Sequence, residues 1–175
     1  MPKPMEDQMG NGAHVHMSLW KNGKNVTGSK KTQNMMSTEG ESFMAGILKH
    51  LDALFHFMCP SPNSLKRINV SSFVGAYKVW GIENKEAPIR TVIPLKSSDD
   101  GVQHFEVKSF DHTANHYFAV AAMISLGILG LKESLVLPLP FNDDAELLTE
   151  KQRHDLGITR LPITFEERKD VINSS

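Results

Sequence analysis

Residues 13–20, AHVHMSLW, alternate strictly between apolar and polar side chains. Because successive side chains of an extended strand point to opposite faces, this segment predicts a strand with two different faces. The polar face would carry His14, His16, Ser18 and Trp20, and the apolar face Ala13, Val15, Met17 and Leu19. Two imidazoles on the polar face could bind a cation or a phosphate; the alternative is a surface strand with solvated histidines.

The residues on either side of this strand are turn formers. Gly10-Asn11-Gly12 precedes it, and because glycine has no Cβ, the backbone here can come close to a ligand. Asn22-Gly23 follows it and predicts a hairpin turn.

A second segment, VQHFEVKS at 102–109, repeats the alternation. Residues 76–82 and 89–94 are predicted as further strands, joined by a turn over 83–88. The polar face of the resulting sheet would carry His14, His16, Arg90, Glu106 and Lys108. Imidazole and carboxylate suit Mn²⁺ or Mg²⁺, while Arg and Lys bind phosphate oxygens. A solvent-exposed face with many salt bridges is the alternative.

Helical patterns account for much of the remaining chain. Thr38 and Glu41 form a capping-box pair that predicts a helix over 38–58, ended by Cys59-Pro60. Residues 61–72 are predicted to be a loop, and a short helix is expected after Thr164. Residues 114–133 are apolar almost all round, which predicts a buried helix. These elements define an α+β fold, a curved antiparallel sheet backed by helices.

Composition excludes several classes of partner. A net charge of −1 with no block of Lys or Arg argues against nucleic acid. The longest apolar stretch, 117–131, is shorter than the roughly 20 residues of a membrane span, so no membrane partner is expected. Cys59 is the single cysteine, which excludes an intramolecular disulfide and suits the cytoplasm.

Four segments taken together resemble a known family. PKP…GNGAHVHMSLW, SPNSLKR, ENKEAPIR and FEVKSFDHTANHYFAVAAMISLGILGL, in this order, resemble the C-terminal catalytic half of glutamine synthetases, closest to the FluG/nodulin-like branch. The resemblance implies a half-open barrel with active sites between subunits of a homo-oligomeric ring. It also implies ATP-dependent joining of glutamate to ammonia or an amine through γ-glutamyl phosphate, with Mg²⁺ or Mn²⁺.

The resemblance also implies roles for residues around the metal and the nucleotide. His14 and Glu106 match metal ligands and would converge on one ion. His16 and Ser18 match positions on the nucleotide side, and Arg90 matches an arginine that clamps phosphate.

Other positions match the glutamate side of the site. Gly10 matches a glycine whose backbone approaches glutamate, and Arg67 matches an arginine that grips a substrate carboxylate. Lys108 and Lys85 stand where the core enzymes have arginine, in a substrate-binding and a catalytic position respectively. Lysine keeps the charge but loses the planar fork.

Three further positions depart from the family pattern. Met9 replaces a substrate-binding Asn, His104 replaces an Arg on the nucleotide side, and Phe73 falls where ammonia-using members carry a flap Glu. Two functions stay open. One is a glutamate–ammonia or glutamate–amine ligase, and the other is a non-catalytic relative with an assembly or signalling role.

The extent of the resemblance indicates a partial domain. It covers residues 2–135 and, more weakly, the tail. Residues 1–175 would then be part of a catalytic domain, without the N-terminal β-grasp domain and without the first part of the catalytic domain. His14 and Glu106 alone leave an ion short of ligands. The chain by itself is therefore expected to be inactive.

Overall fold

A computed structural model of the chain describes residues 1–68, 73, 75–94 and 101–173. Its main sheet has the strand order β1-β6-β5-β4 and a separate ribbon pairs β2 with β3. The strands are β1 (Ala13–Met17), β2 (Trp20–Lys21), β3 (Lys24–Asn25), β4 (Trp80–Ile82), β5 (Ile89–Thr91) and β6 (Phe105–Phe110).

The strand β1 has the two faces that its sequence predicts. His14 and His16 are exposed, while Ala13, Val15 and Met17 pack against the core. The Asn22-Gly23 hairpin is also confirmed, since both residues have positive φ, 52° and 76°, as a type I′ turn requires.

The sheet differs from the prediction in strand length and in one direction. Among the strands predicted at 76–82 and 89–94, β4 begins at Trp80 and β5 ends at Thr91. The pairs β1–β6 and β5–β6 are antiparallel, but β4 runs parallel to β5. Side-chain alternation specifies the two faces of a strand and is the same for either direction of its neighbour, so the sequence pattern could not set this pairing.

Six α-helices accompany the sheet in the described residues, with a 3₁₀ turn at Ala145–Leu147. They are α1 (Thr38–Lys49), α2 (Leu51–Met58), α3 (Pro62–Arg67), α4 (His116–Glu133), α5 (Glu150–Asp155) and α6 (Phe165–Asn173). The last of these confirms the helix expected after Thr164, whereas α5 had not been predicted.

The helix predicted over 38–58 is in fact two helices. It breaks at His50, whose φ and ψ of −109° and 20° are not helical. The N-cap is Ser37, whose hydroxyl accepts from the backbone N–H of Gly40, so Thr38 is the first helical residue rather than the cap.

The loop predicted over 61–72 contains the short helix α3. Ser61 accepts from the backbone N–H of Ser64, the Ser64 hydroxyl accepts from the backbone N–H of Ser61, and Pro62 occupies the first turn. These are strong helix-start signals. The sequence still favours a loop here, because so short a segment shows no apolar periodicity. Residues 69–72 of this segment lie outside the described part.

The hydrophobic core lies between the apolar face of the sheet and the helices α1, α2 and α4. Its largest fully buried side chains include Phe55, Trp80, Phe105 and Phe110. The helices α1 and α4 can approach closely because Gly46 and Gly130 have no Cβ at the contact. A Cβ on Gly46 would lie only 2.9 Å from the Gly130 backbone. This layer of sheet and helices confirms the α+β class.

The helix predicted over 114–133 is confirmed as α4, but the prediction that it is buried all round is wrong for the described structure. In the described structure α4 buries Ala119, Met123, Gly127 and Gly130 on one side. Its other side exposes Tyr117, Phe118, Ile124 and Ile128. An all-round apolar pattern indicates that every face favours burial, but the described residues cover only the side against α1 and α2. No helix in the described part of the chain combines the length and the apolar character needed to cross a membrane.

Candidate functional site

The predicted polar face of the sheet is organised around one carboxylate. Strand register places His16 of β1 and Arg90 of β5 opposite Glu106 of β6. Glu106 Oε1 lies 2.5 Å from His14 Nδ1 and 3.7 Å from His16 Nε2, and Arg90 Nε donates to Glu106 Oε2. The prediction that His14 and Glu106 lie on neighbouring strands with side chains on the same polar face is confirmed.

Both histidines of β1 lie near Glu106 because residues two apart on a strand share a face. The register between β1 and β6 also shifts between Ala13 and Val15, on either side of His14. His14 reaches the same carboxylate oxygen that His16 approaches from directly across the strand pair.

The surroundings of Glu106 keep it ionised. Its side chain is only 3% exposed. Burial works to raise its pKa, but hydrogen bonds and charge from Arg90 and His14 outweigh burial and hold the pKa below its ordinary value. The result is a buried carboxylate, flanked by two imidazoles on one oxygen and a guanidinium on the other.

Two other predicted positions lie near this cluster. The ring of His104 meets the ring of His16 edge-on, with centroids 4.8 Å apart, and burial and the neighbouring His16 lower the pKa of His104. Ser18 is exposed, and its hydroxyl accepts a hydrogen bond from Trp20 Nε1 at 3.0 Å. His104 thus extends the imidazole cluster, whereas Ser18 interacts with the start of the ribbon.

The Lys108 side chain is hydrogen-bonded to a turn of the backbone. It is 2% exposed, and its ammonium donates to the carbonyls of Lys85 and of Ala87, the latter at 3.1 Å. Burial, followed by the charge of Arg90, lowers the pKa of Lys108 to about 8. The side chain of Lys85 is exposed. The structure therefore gives Lys108 a role in holding the turn before β5, and its predicted contact with glutamate stays a prediction.

Arg67, the last residue of α3, is buried and only partly hydrogen-bonded. It is 2% exposed, and its Nη2 donates to the Phe110 carbonyl at 3.0 Å. Within the described structure its Nε and Nη1 have no hydrogen-bond partner. A guanidinium in this state can still donate hydrogen bonds to an anion, which agrees with the predicted carboxylate-binding role.

The glycines before β1 lie directly on Arg67. A Cβ on Gly12 would be 2.6 Å from Arg67 Nη1, and a Cβ on Gly10 would collide with Arg67 Cγ. In the described structure the group these glycines approach is Arg67, and the predicted approach of the Gly10 backbone to glutamate stays a prediction. The contact joins two segments that are far apart along the chain, so the sequence pattern does not predict it.

Two groups that the sequence does not predict also support Arg67. They are the Phe110 carbonyl and the Cys59 thiol, whose Sγ lies 3.9 Å from Arg67 Nη2. Burial raises the pKa of Cys59 to about 12, so this thiol is neutral. A backbone acceptor leaves no signal in the sequence, and the pattern around a single cysteine is typical of an ordinary core residue. Neither group could therefore be predicted.

Two of the residues that depart from the family pattern are exposed. Phe73 is 51% exposed and adopts a left-handed φ of 55°, and Met9 is 61% exposed. Since a bulky side chain rarely adopts positive φ, the backbone at Phe73 is strained.

The described residues offer part of a metal site. His14 supplies an imidazole nitrogen and Glu106 an ionised carboxylate, which are donor types found in Mg²⁺ and Mn²⁺ sites. In the described part of the chain no group of three or more His, Cys, Asp or Glu side chains is arranged to hold an ion. The pair fits a divalent metal in kind, and the ligand set is incomplete.

Comparison with protein families identifies the class of protein. The model of the glutamine synthetase catalytic domain matches residues 1–175. The chain belongs to the glutamine synthetase family.

Relatives and a solved structure agree with this assignment. The chain is 37% identical to γ-glutamylpolyamine synthetase GlnA3 of Streptomyces coelicolor, over 95% of this chain and 36% of that protein. It is 36% identical to protein fluG of Emericella nidulans, over 94% of this chain and 17% of that protein. A crystal structure titled as a novel glutamine synthase homolog superposes with a TM-score of 0.78 at 27% identity, covering 99% of this chain and 38% of that one. The chain thus spans well under half the length of these relatives.

Proposed function

We propose that this chain is part of the catalytic domain of an ATP-dependent ligase that joins glutamate to ammonia or an amine through γ-glutamyl phosphate. The observation that carries the proposal is the convergence of His14, His16 and Arg90 on the buried Glu106 carboxylate. Membership of the glutamine synthetase family supports it.

In this proposal one Mg²⁺ or Mn²⁺ ion is held by His14 and Glu106, together with ligands beyond the described residues. A divalent ion supplies neutralisation of charge on the phosphoryl group as it transfers. Glu106 stays ionised because Arg90 and His14 oppose the effect of burial. The contact between His14 Nδ1 and Glu106 Oε1 places the two proposed metal ligands side by side.

ATP would lie on the polar face of the sheet beside the metal. His16 and Ser18 are assigned to the nucleotide, and Arg90 to its phosphates. Arg90 uses Nε for Glu106, and a guanidinium has four further N–H donors, which suit phosphate oxygens. The bond to Glu106 fixes the orientation of this fork.

Glutamate is assigned to the region of Arg67. The unpartnered Nε and Nη1 of this buried guanidinium leave N–H donors available to a carboxylate oxygen. Gly10 and Gly12 cover Arg67, so glutamate binding requires this segment to shift. Lys108 and Lys85 complete the substrate side in the proposal, with Lys108 holding the turn that carries Lys85.

The acceptor is proposed to be an organic amine. Phe73 offers a ring where ammonia-using members carry a carboxylate, and a relative at 37% identity is named a γ-glutamylpolyamine synthetase. A ring excludes water and offers a cation–π face worth about 0.5–2 kcal/mol to an ammonium group. The ring cannot act as a general base, a role that typically contributes about 10²–10⁴-fold to the reaction rate.

A homo-oligomeric ring and a cytoplasmic location are proposed on family membership alone.

The second candidate function is a non-catalytic relative used for assembly or signalling. The observation in its favour is that Lys108 is bound to backbone carbonyls rather than free to meet a substrate.

The test uses a full-length protein that contains this chain. ATP-dependent phosphate release with glutamate is measured with ammonia and with a panel of amines, for the wild type and Phe73→Glu. We expect some amines to exceed ammonia, and Phe73→Glu to shift the preference toward ammonia. An unchanged preference would remove the amine proposal, and no phosphate release with any acceptor would favour the non-catalytic function. The 175-residue chain is expected to release none.

A further inference from the structure

A buried carboxylate, Asp111, directly follows β6 and lies outside the residues assigned above to metal, nucleotide and glutamate. Its Oδ1 accepts two hydrogen bonds from Thr113, one from the backbone N–H at 2.8 Å and one from the hydroxyl at 2.6 Å. In the described structure its Oδ2 is buried without a hydrogen-bond partner. Because burying a carboxylate costs free energy unless hydrogen bonds compensate, the bonds from Thr113 stabilise this side chain.

The same bonds fix the direction of a hydroxyl network that leads to α3, formed by Ser61, Ser64 and Thr113. A hydroxyl has one hydrogen to donate, and that of Thr113 goes to Asp111, so its oxygen accepts from Ser64, 3.2 Å away. The Ser64 hydroxyl in turn accepts from the Ser61 hydroxyl at 2.8 Å. Hydrogen bonds that point the same way polarise and strengthen one another. The start of α3 is thus joined to the Asp111 carboxylate.

The end of α3 is joined to the same stretch of chain. Arg67, its last residue, donates from Nη2 to the carbonyl of Phe110, the residue just before Asp111. Ser64 lies three residues before Arg67, and residues three apart share one face of a helix. Both ends of α3 are therefore held at the C-terminal end of β6, the strand that carries Glu106.

We propose that Asp111 is a positioning residue for Arg67 and acts through the hydroxyl network. By fixing α3 to the end of β6, it sets the place of Arg67 relative to Glu106, and hence the place of bound glutamate. This inference rests on the proposed function, which assigns glutamate to Arg67. Loss of the hydroxyl network should weaken glutamate binding and leave ATP binding, on the nucleotide side, unchanged.

The experiment changes Thr113, which is exposed, in a full-length protein that contains this chain. Thr113→Val keeps the shape of the side chain but loses the hydroxyl, whereas Thr113→Ser keeps the hydroxyl. Thr149→Val is the matched control, because it removes a threonine hydroxyl from the cap of another helix, α5. Steady-state phosphate release gives kcat and the KM values of glutamate and ATP for each protein.

For Thr113→Val we expect the KM of glutamate to rise about threefold to tenfold, as for the loss of one hydrogen bond, with the KM of ATP within about twofold of wild type. Thr113→Ser and Thr149→Val should match the wild type. Asp111→Ala should have at least the effect of Thr113→Val, and if it does not fold the Thr113 variants decide. Equal changes in both KM values, an unchanged KM of glutamate, or the same rise in Thr149→Val would overturn the proposal.

Hydrogen–deuterium exchange of the same proteins tests the anchoring of α3 without any need for activity. Thr113→Val should speed exchange of the amides of residues 64–68 at least about threefold, because the helix opens more often once its anchor is lost. Thr149→Val should leave this exchange unchanged. Wild-type exchange in Thr113→Val would overturn the proposal even in an active protein. A wild type that releases no phosphate with glutamate would instead reject the proposed function, and the exchange comparison would still decide whether Asp111 holds α3.

Discussion

Arg90 and Arg67 are both assigned to anionic parts of the substrates, yet the structure surrounds them differently. Arg90 lies on the polar face of the sheet, and its charge is balanced by the Glu106 carboxylate. Arg67 is buried beneath Gly10 and Gly12, with a backbone carbonyl and a thiol as its neighbours. One arginine has a built-in counterion and the other has two nitrogens without a partner.

The difference indicates that the two arginines bind anions in different ways. A guanidinium already paired with a carboxylate is held in place and binds a further anion with little rearrangement. A buried guanidinium without a counterion favours an incoming carboxylate more strongly, because that ligand removes an electrostatic penalty. If the proposed assignments hold, the Arg90 region is pre-organised by Glu106 and the Arg67 region is completed by the carboxylate that it binds.

The largest effect is expected at Glu106. Glu106→Gln in a full-length protein removes the counterion of Arg90 and the proposed metal ligand, and ligase activity should fall at least about 10³-fold. Breaking a buried pair should also cost about 3–5 kcal/mol of stability. Phosphate release and thermal unfolding measure the two effects. Glu39→Gln, an exposed change on α1, is the matched control and should alter neither. Wild-type activity in Glu106→Gln would contradict the claim that Glu106 pre-organises the Arg90 region.

A second expected effect concerns Cys59, the neighbour of Arg67. Burial raises the pKa of this thiol from 9.0 to about 12, so at pH 8 its thiolate fraction is lower by roughly a thousandfold. Its reaction with a disulfide reagent should be at least a hundredfold slower in the native chain than in denaturant. Above pH 9 the native rate should keep rising where the denatured rate levels off. Rapid reaction of the native thiol would mean that the Arg67 region is open to solvent.

Gly12→Ala should have a smaller effect, confined to the Arg67 region. Its Cβ would lie 2.6 Å from Arg67 Nη1 and 3.3 Å from the Phe110 carbonyl, so we expect a loss of about 1–3 kcal/mol in the free energy of unfolding. Urea denaturation measures it. In an Arg67→Ala background the same change should cost distinctly less, because the colliding group is gone. Equal costs in both backgrounds would show that Gly12 and Arg67 are not coupled.

The two regions also differ in how well the sequence predicts them. His14, His16 and Glu106 follow from alternation, because a period of two fixes the face of each strand. The pairing of Arg90 with Glu106 needed strand register, which depends on contacts between distant segments. The cover that Gly12 forms over Arg67 was missed for the same reason. The apolar surface of α4 shows a further limit, since its pattern indicates a need for burial without saying what lies against each side.

Manganese binding to the 175-residue chain tests the central claim, that Glu106 and His14 form the metal side of the site. Mn²⁺ broadens NMR signals of nuclei close to it, so a titration of the ¹⁵N-labelled chain locates the ion without any need for activity. We predict weak binding that first broadens signals of His14, His16 and Glu106, with this broadening absent in Glu106→Gln. Broadening centred on other residues, or the same broadening in Glu106→Gln, would contradict the account.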